Sequence, residues 1–470
     1  MVGIKSYKNF NVVPKAIYCL RALQHRGQEA WGIAIAKREP FRRKGLVTEN
    51  QNVLRFVHDN YKASTCLAHV RYSTVGRSNL QNSQPLPIGR EFSIVHNGTI
   101  CNIDELESRV KEDFILPSWS NDTYLVGCRL LQLLKRNGFD WFSSLEELVG
   151  ELNGAYSFIF LTKDNVIYAI RDERGFRPLC LGYHEESDSY LIVSESCALD
   201  VIDANLIRDI NPGEFLKLDK DGLKSEQMVK SDYHAHCSFE YTYFAHPSSI
   251  IEGISVYEAR KRVGRELAKL YGSMGDIVIP VPDSARPAST GYALETGLPL
   301  EEGLMKDRYG KRGGLRSFIQ PFQQQRIDIA KWITPIKRVI ENKNIVLIDD
   351  SIVRGTSSKA IVKSLRKAGA KKISLLVTFP PIRYPCFMGI DFPTQEELLA
   401  YKVVKEEDNI EKINDKVGRE IGVDFLGYNN QKALCKGIGM PFSEMCLSCT
   451  TGNYACLKAK PKYSLRMKKI

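Results

Sequence analysis

Short apolar runs, separated by polar turns, dominate the first half of the chain. They predict strands at 157–161, 166–170 and 190–193. Elsewhere in this half, apolar residues recur at helical spacing, and this pattern predicts helices at 16–23, 103–110 and 123–134. Strands and helices that are interleaved in this way indicate sheets layered with helices.

The pattern changes near residue 256, where helices and strongly apolar strands begin to alternate. The predicted order is a helix at 257–270, strands at 277–281 and 345–348, a helix at 357–368 and a strand at 372–378. Buried strands that alternate with helices are typical of a doubly wound parallel sheet. We therefore predict two principal domains, at 1–235 and 236–400, followed by a C-terminal tail at 401–470.

The composition is that of a globular protein. Of the 470 residues, 43% are hydrophobic and 26% are charged, and both fractions lie near the usual averages. No apolar stretch is long enough for a membrane span. Because the chain opens directly into the apolar run Val2, Gly3 and Ile4, without a secretory signal, we expect a cytoplasmic protein with no membrane partner.

The net charge of +11 fits either a nucleic-acid binder or an enzyme with a small polyanionic substrate. The lysines and arginines are spread along the chain, and only the tail at 458–469 concentrates them. Such a tail is more often a solvated end than a specific arm. We therefore expect no nucleic-acid partner.

The motif with the clearest chemistry is IVLIDDSIVRGTS, in which an apolar strand leads into two acids and a small, hydroxyl-rich loop. The strand would place this loop at the carboxyl edge of a sheet, where α/β proteins bind ligands. Asp349 and Asp350 would hold ribose hydroxyls or a magnesium ion, which prefers oxygen ligands. Gly355 permits close backbone approach, and Thr356 and Ser357 begin a helix whose N–H groups would cradle a phosphate. The simpler alternative is a buried strand that ends in a capped helix.

This motif resembles the signature of the type I phosphoribosyltransferases, as does VPDSARPASTGYA before it. The resemblance implies that the substrate is phosphoribosyl pyrophosphate and that Asp349 and Asp350 are catalytic. It implies magnesium as a cofactor, held by Ser284, Asp349 and Asp350. It also implies a basic lid over the pyrophosphate, and substrate contacts from Lys306, Arg308, Arg354, Gly355, Thr356 and Ser357.

The first half resembles the glutaminase domain of the class II amidotransferases, which carries an N-terminal nucleophile on a four-layer αββα sandwich. The resemblance is carried by the segments LQHRGQ, HVRYSTVG, HNGTI, SNDT, RDERGFRPL and SESCALD. It implies that Arg71 pairs with the α-carboxylate of glutamine and Asp122 with its α-ammonium group. It also implies that Asn97 and the backbone N–H of Gly98 form an oxyanion hole.

The nucleophile of that family is a cysteine at the mature N-terminus, whose own α-amino group serves as the base. This chain begins with MVGI and has no thiol there, and the nearest cysteine, Cys19, lies in a helical pattern that predicts a core position. We therefore expect no glutamine hydrolysis by the chain as written. The domain would be a structural remnant or bind an amino acid as a regulator, unless residues encoded upstream restore the cysteine.

Twelve cysteines in a chain without a secretory signal indicate reduced thiols, metal ligands or nucleophiles. Cys446 and Cys449 form a CxxC pair, which alone leaves zinc, redox chemistry or chance open. Cys237 and Cys386 lie in HCSFEYTYFAHP and YPCFMGID, which resemble segments of the amidophosphoribosyltransferases that carry a [4Fe-4S] cluster. The resemblance implies that these four cysteines hold such a cluster in a structural role, with zinc or four unrelated buried thiols as the alternatives. The other cysteines form no recognisable ligand pattern.

The two halves together resemble the amidophosphoribosyltransferase family over nearly the whole chain. The resemblance implies formation of 5-phosphoribosylamine at the first step of de novo purine synthesis. Without the glutaminase cysteine, the amine would be ammonia, either free or from a partner glutaminase. The family further implies a homo-oligomer with purine nucleotides as inhibitors. The alternatives are a non-catalytic regulatory paralogue or partner of an intact amidophosphoribosyltransferase, and a salvage phosphoribosyltransferase, for which we find no base-recognition motif.

Overall fold

A computed structural model describes residues 1–8, 10–48, 50–60, 62–72, 80–307, 332–390, 392, 394–405 and 409–458. Its strands are β1 (Val2–Ser6), β2 (Ala30–Ala34), β3 (Phe41–Lys44), β4 (Thr65–Arg71), β5 (Leu86–Ile88), β6 (Phe92–Ile100), β7 (Gly154–Thr162), β8 (Ile167–Arg171), β9 (Cys180–His184), β10 (Ser189–Val193), β11 (Asn205–Asp209), β12 (Glu214–Asp219), β13 (Gly222–Gln227), β14 (His236–Cys237), β15 (Ile250–Ile251), β16 (Ile254–Ser255), β17 (Ile277–Pro280), β18 (Leu304–Lys306), β19 (Ile333–Pro335), β20 (Asn344–Asp349), β21 (Lys372–Val377), β22 (Phe425–Tyr428) and β23 (Met445–Cys446). Its helices are α1 (Val13–Ala22), α2 (Gln51–Asp59), α3 (Ile103–Val110), α4 (Asp122–Arg136), α5 (Trp141–Glu151), α6 (Cys197–Asp200), α7 (Val256–Tyr271), α8 (Arg286–Thr296), α9 (Lys337–Ile340), α10 (Thr356–Lys367), α11 (Leu399–Val403), α12 (Ile410–Ile421), α13 (Gln431–Ile438) and α14 (Ser448–Thr451), with a π-helical turn at Glu240–Phe244. None of the helices in these ranges is long and apolar enough to cross a membrane.

Two antiparallel sheets face each other in the first half of the chain. One has the strand order β11-β9-β10-β1-β4-β2-β3 and the other the order β13-β12-β8-β7-β6-β5. Apolar side chains such as Ile159, Leu161 and Ile192 fill the space between the sheets. Helices α1 and α6 cover the outer face of the first sheet, and α4 and α5 cover that of the second. The predicted αββα sandwich is confirmed.

Burial on both faces explains why these strands are continuous apolar runs. Strand β1 is buried along its whole length, and β7 is buried at every position except Gly154. A sheet that is covered on both faces needs apolar side chains at successive positions, whereas a half-exposed sheet needs them at every second one. The runs therefore mark these strands in the sequence without any alternation.

The second half contains a four-stranded parallel sheet of order β17-β20-β21-β22. Its register pairs Ile277 with Ile345, and Ile345 with Ile373. Helices α7 and α8 pack on one face of this sheet, and α10 and α12 pack on the other. The predicted doubly wound architecture is confirmed. Strand β22 and helix α12 come from 401–470, so this segment supplies the fourth strand of the sheet.

A short linker at residues 236–244 connects the two halves, and all of it except Tyr243 is buried. Strand β14 pairs in parallel with β23, which sets Cys237 opposite Cys446. The π-helical turn follows β14, and the Arg260 Nε of α7 donates to the carbonyl of Tyr241 in this turn at 2.8 Å. The linker is therefore tied both to the C-terminal segment and to the parallel-sheet half.

Candidate functional site

A cavity of about 50 Å³ opens where β1 starts and β4 ends. It is lined by Met1, Arg26, His69, Val70, Arg71, Tyr72, Gln84, His96, Asn97, Gly98, Asn121, Asp122, Thr123, Arg177, Ser194, Phe244 and Gly389. Most of these residues belong to the segments that carry the glutaminase resemblance. The fold thus brings the four predicted residues Arg71, Asn97, Gly98 and Asp122 into one cavity.

Opposite charges face this cavity. Arg71 ends β4 and is 4% exposed; burial lowers the pKa of its guanidinium, while Glu29 and Asp122 raise it. Asp122 begins α4, where the helix N-terminus favours a negative charge. Its carboxylate accepts hydrogen bonds from the N–H of Thr123 at 2.8 Å and of Ile100 at 3.4 Å. A buried cation and a fixed anion in one cavity are complementary to a zwitterionic amino acid.

Strand β6 carries an unused hydrogen-bond donor into the cavity. The Nδ2 atom of Asn97 is buried and has no hydrogen-bond partner among the residues that the structure describes. Its neighbour Gly98 has a φ of 144°, and a Cβ there would lie 2.0 Å from the carbonyl oxygen of Ala155. A side chain at this position would therefore both strain the backbone and clash. The side-chain amide of Asn97 is therefore available to donate a hydrogen bond to an oxygen atom of a ligand.

One wall of the cavity comes from the second half of the chain. Gly389 follows Cys386 in the YPCFMGID segment, and a Cβ on Gly389 would lie 2.8 Å from the Cα of Gly98. Close by, the Cys101 thiol donates to the carbonyl of Phe387 at 3.3 Å. The loop after Cys386 therefore packs directly on the strand that carries Asn97.

Among the described residues that line the cavity, none is a cysteine. The amino group of Met1 donates to the Ser194 hydroxyl at 2.9 Å. Burial, and after it the charge of Arg26, lowers the pKa of this amine to about 4, so the amine is neutral at pH 7. The side chain of Val2 lies in the core beneath α1. Cys19 lies in the same core, where burial raises its pKa to about 12, so the predicted core position of this cysteine is confirmed.

A buried ion network forms the wall of the cavity nearest the linker. Arg26 makes ion pairs with Glu195 and Glu240, and Arg177 pairs with Glu240 at 3.0 Å. The guanidinium carbons of Arg26 and Arg177 lie 4.7 Å and 4.9 Å from the ring centre of Phe244. Buried charges are stable only when they are paired. Since Glu240 and Phe244 belong to the linker, the network ties the cavity to the second half of the chain.

The predicted acid pair lies at the carboxyl edge of the parallel sheet. Asp349 is the last residue of β20, and it and Asp350 are 8% and 6% exposed. The Asp349 carboxylate accepts from the N–H of Asp350 at 2.9 Å, and the Ser284 hydroxyl donates to the Asp350 carboxylate. Burial, and after it the charge of Asp350, raises the pKa of Asp349 well above its usual value. Burial and the neighbouring carboxylate therefore both disfavour the charged form of Asp349.

A loop leads from the acid pair into α10. Gly355 has a φ of 74° and caps the start of α10, and Thr356 and Ser357 form the first turn of the helix. The first N–H groups of a helix have no partners within it, and they favour a bound phosphate. The Nε of Arg354 donates to the Glu397 carboxylate at 3.1 Å, so this predicted substrate contact is paired with an acid here.

The predicted lid begins beside the same site. Lys306 ends β18, and its Nζ lies 3.7 Å from the Asp283 carboxylate. Ser284, which follows Asp283 in the chain, contacts Asp350. Lys306 therefore lies on the same side of the sheet as the acid pair. Arg308, the other predicted cation of the lid, lies outside the described residues, as do residues 73–76 of HVRYSTVG.

The four predicted cluster cysteines converge between the two halves. The pairing of β14 with β23 sets Cys237 opposite Cys446, and the carbonyl of Cys449 accepts from the N–H of Arg383 at 3.0 Å. Burial, and after it the charge of Cys237, raises the pKa of the Cys386 thiol to about 12. Burial, then Cys386 and Cys237, likewise raises the pKa of Cys449. We call Cys237, Cys386, Cys446 and Cys449 the thiol cluster.

Comparison with known proteins covers the whole chain. A model of a glutamine amidotransferase domain matches residues 69–201. The amidophosphoribosyltransferases of Methanocaldococcus jannaschii and Pyrococcus horikoshii are 38% and 41% identical over 480 and 460 residues, with 96% of this chain and 96% of each relative covered. The chain belongs to the amidophosphoribosyltransferase family.

A solved structure of the family agrees over the same length. The glutamine phosphoribosylpyrophosphate amidotransferase of Bacillus subtilis, complexed with ADP and GMP, is 35% identical and has a TM-score of 0.83. The match covers 100% of this chain and 99% of that one. The amidophosphoribosyltransferase architecture therefore extends through both halves and the segment after residue 400.

Several residues of this family member have site positions that sequence reasoning missed. Arg26, Arg177 and Ser194 line the cavity, and their only signal was that each lies in a segment that carries the glutaminase resemblance. Cys456 and Cys101 lie near the thiol cluster, close enough for their charges to affect each other. Neither stands at a ligand spacing, so the sequence alone offered no signal for them.

Proposed function

We propose that this amidophosphoribosyltransferase forms 5-phosphoribosylamine from phosphoribosyl pyrophosphate and ammonia, at the first step of purine synthesis. The observation that supports this most directly is the acid pair Asp349 and Asp350, with Ser284 in contact, at the carboxyl edge of the parallel sheet. That edge is where α/β folds bind their ligands. The loop of Gly355 follows at once and begins α10, whose N–H groups suit the 5-phosphate.

We propose that Ser284, Asp349 and Asp350 hold magnesium, because these oxygen donors suit the ion and lie together at the carboxyl edge of the sheet. Magnesium would supply positive charge against the pyrophosphate. Thr356 and Ser357 would hold the 5-phosphate. Arg354 would join them once it exchanges Glu397 for the substrate.

The reaction on this scaffold is a displacement at the anomeric carbon. The lone pair of ammonia forms the new C–N bond, the C–O bond to pyrophosphate breaks, and its electron pair leaves with the pyrophosphate. The new ammonium group then loses a proton to water. Lys306 would stabilise the negative charge that grows on the leaving group, and the lid would exclude water from the carbon.

Ammonia is the proposed amine because no described residue that lines the amino-acid cavity carries a thiol. Serine and methionine side chains do not replace an activated cysteine thiolate there. The ammonia would come from solution or from a partner glutaminase. The domain at 1–235 would then be a remnant or a regulatory module, and the domains at 236–400 and 401–470 would carry the transferase chemistry.

Pyrophosphate release tests this proposal. With phosphoribosyl pyrophosphate and magnesium, protein purified without oxygen is expected to turn over with ammonium and not with glutamine. Sequencing the N-terminus of the purified protein controls for a different first residue. Turnover with glutamine contradicts the ammonia proposal. Inactivity with both donors contradicts the enzyme proposal and favours a regulatory paralogue.

We propose that the cavity still binds glutamine or a related amino acid as a regulator. Arg71, Asp122 and the free amide of Asn97 are all retained, and Gly98 keeps the backbone that an oxyanion hole requires. A pocket without any binding role would not need a buried cation and a buried anion whose charges are complementary to those of a zwitterionic amino acid.

Replacing Arg71 by alanine is expected to weaken glutamine binding by roughly 10- to 100-fold, because a charged hydrogen bond contributes about 1.5–3 kcal/mol. Isothermal titration with glutamine measures the change. The matched control is Arg55→Ala, since Arg55 is exposed on α2, and its affinity should equal that of the wild type. Equal affinity in Arg71→Ala would mean that glutamine binds without Arg71 and would contradict the proposed site. No binding by the wild type would leave the domain as a structural remnant.

We propose that the thiol cluster holds a [4Fe-4S] cluster. Four sulfur donors, of which three are buried and that of Cys386 is partly exposed, suit iron. Their raised pKa values mean that a metal must displace the thiol protons. Among the described residues, no three His, Cys, Asp or Glu side chains are placed to hold one metal ion. Such a cluster would join the linker, the loop of Cys386 and the C-terminal segment.

We further propose that purine nucleotides inhibit this enzyme and that it forms a homo-oligomer. The support is its relationship to the Bacillus subtilis structure, whose ligands are ADP and GMP. Another structure of the family, with a TM-score of 0.84 at 35% identity, is described as the allosteric regulatory enzyme of purine biosynthesis.

A further inference from the structure

A fifth thiol, Cys456, lies against the thiol cluster. Its Sγ is 3.5 Å from the Ser448 hydroxyl, which is 3.6 Å from the Sγ of Cys446. The two sulfur atoms therefore contact the same serine hydroxyl. Cys446 is buried, whereas Cys456 is partly exposed. A buried thiol and a partly exposed thiol therefore lie next to each other, on either side of the Ser448 hydroxyl.

The segment that carries Cys456 is anchored on both sides of the thiol. Before it, the Tyr454 hydroxyl donates to the carbonyl of Pro385 at 2.7 Å. Next to it, the carbonyl of Ala455 accepts from the Tyr233 hydroxyl at 2.8 Å. After it, the N–H of Lys458 donates to an Asn153 side chain at 3.1 Å. Because these partners come from distant parts of the chain, the approach of the two thiols is a property of the tertiary structure.

We propose that Cys446 and Cys456 form a reversible disulfide when the iron–sulfur cluster is absent. The proposal rests on the proposed cluster in one respect, since Cys446 is one of its four ligands and cannot be in a disulfide and bind iron at once. The Cys446 sulfur would thus bind either iron of the cluster or the sulfur of Cys456, but not both at once. Oxidation of the apoprotein would block reloading of the cluster until the disulfide is reduced.

The oxidant for this step is a peroxide. The accessible Cys456 sulfur attacks one peroxide oxygen, the O–O bond breaks, and a sulfenic acid and one water form. The Cys446 sulfur then attacks the sulfenic sulfur, the S–O bond breaks, the S–S bond forms and a second water leaves. The two thiols lose two electrons and two protons, and one hydrogen peroxide is reduced to two waters. A dithiol reductant reverses the reaction by exchange.

Disulfide mapping tests the linkage. The full-length protein is stripped of iron with a chelator, treated with one equivalent of hydrogen peroxide, alkylated and digested for mass spectrometry. The expected product joins the peptides of Cys446 and Cys456, and it is absent from Cys456→Ser. The control Cys128→Ser, whose thiol is buried in α4, should form the same product. Two alkylated thiols, or a Cys101–Cys456 product in its place, would overturn the proposal.

Iron uptake tests the consequence. Oxidised wild-type apoprotein should take up less than about a tenth of the iron that it takes up after reduction with dithiothreitol. Cys456→Ser should take up equal amounts before and after the reductant. If the oxidised wild type takes up the same amount of iron before and after the reductant, the disulfide inference is wrong. That result would not contradict the proposed cluster. Failure of every reduced sample to bind iron would instead refute the cluster, while the mapped disulfide would still report on the thiol pair.

Discussion

Replacement of both Asp349 and Asp350 by asparagine is expected to lower ammonia-supported pyrophosphate release by at least about a thousandfold. The two carboxylates are the buried acids at the carboxyl edge of the sheet, and Ser284 contacts one of them. Asparagine keeps their size and one of the two acceptor oxygens of each carboxylate, but it removes the negative charge that would hold magnesium. The release of pyrophosphate with ammonium measures the loss, and Asp415→Asn, an exposed acid on α12, serves as the control.

The same double variant should not be less stable than the wild type at pH 7. Burial raises the pKa of Asp349 above its value in the unfolded chain, so the ionised carboxylate opposes folding. This unfavourable contribution is fully present above the folded pKa and disappears as the pH falls below the unfolded pKa. The unfolding free energy of the variant should therefore exceed or equal that of the wild type at pH 7, with the difference shrinking toward pH 4. Urea titrations measure it, and a destabilised variant would mean that the acids are structural.

Replacement of Cys449 by serine is expected to abolish iron binding and to lower the melting temperature by roughly 5 °C or more. Cys449 is buried, and its backbone accepts a hydrogen bond from Arg383, which leads to the loop of Cys386. A serine oxygen is a hard donor and a poor ligand for an iron–sulfur cluster. The lost cluster would no longer join the linker to the C-terminal segment, so the two halves would separate more easily on heating.

Iron content per chain and the melting curve are measured under nitrogen on the holoprotein. Cys128→Ser is the matched control, because this thiol is also buried but lies on α4 away from the thiol cluster. It should keep its full iron content, with a stability change of about 1 kcal/mol or less. If Cys449→Ser retains iron, the assignment of the four ligands is wrong.

Local patterns were sufficient to locate β20, the start of α10 and the transferase motif between them. The apolar run from Ile345 to Ile348 became the buried core of β20, and Asp349 and Asp350 follow it directly. Gly355 then stands at the start of α10 with a positive φ. Each of these features depends on residues that are adjacent in sequence, so the order of residue types is enough to predict them.

The convergence of distant segments required the tertiary structure. The CxxC motif identified Cys446 and Cys449 as a pair, but only the pairing of β14 with β23 places Cys237 opposite Cys446. Nothing in the spacing of Cys456 indicates that it lies beside them, and the close approach of Gly389 to Gly98 likewise has no local signature.

The sequence by itself therefore determined the two-part architecture, the phosphoribosyl motif and four residues of the amino-acid cavity, which are Arg71, Asn97, Gly98 and Asp122. The tertiary structure alone decided that Cys456 lies beside the thiol cluster, how the Arg26 network ties the cavity to the linker, and that 401–470 completes the parallel sheet. The physical reason is that hydrophobic periodicity reports how one segment is buried. Hydrophobic periodicity does not indicate which other segment covers the buried one, because apolar contacts are not directional.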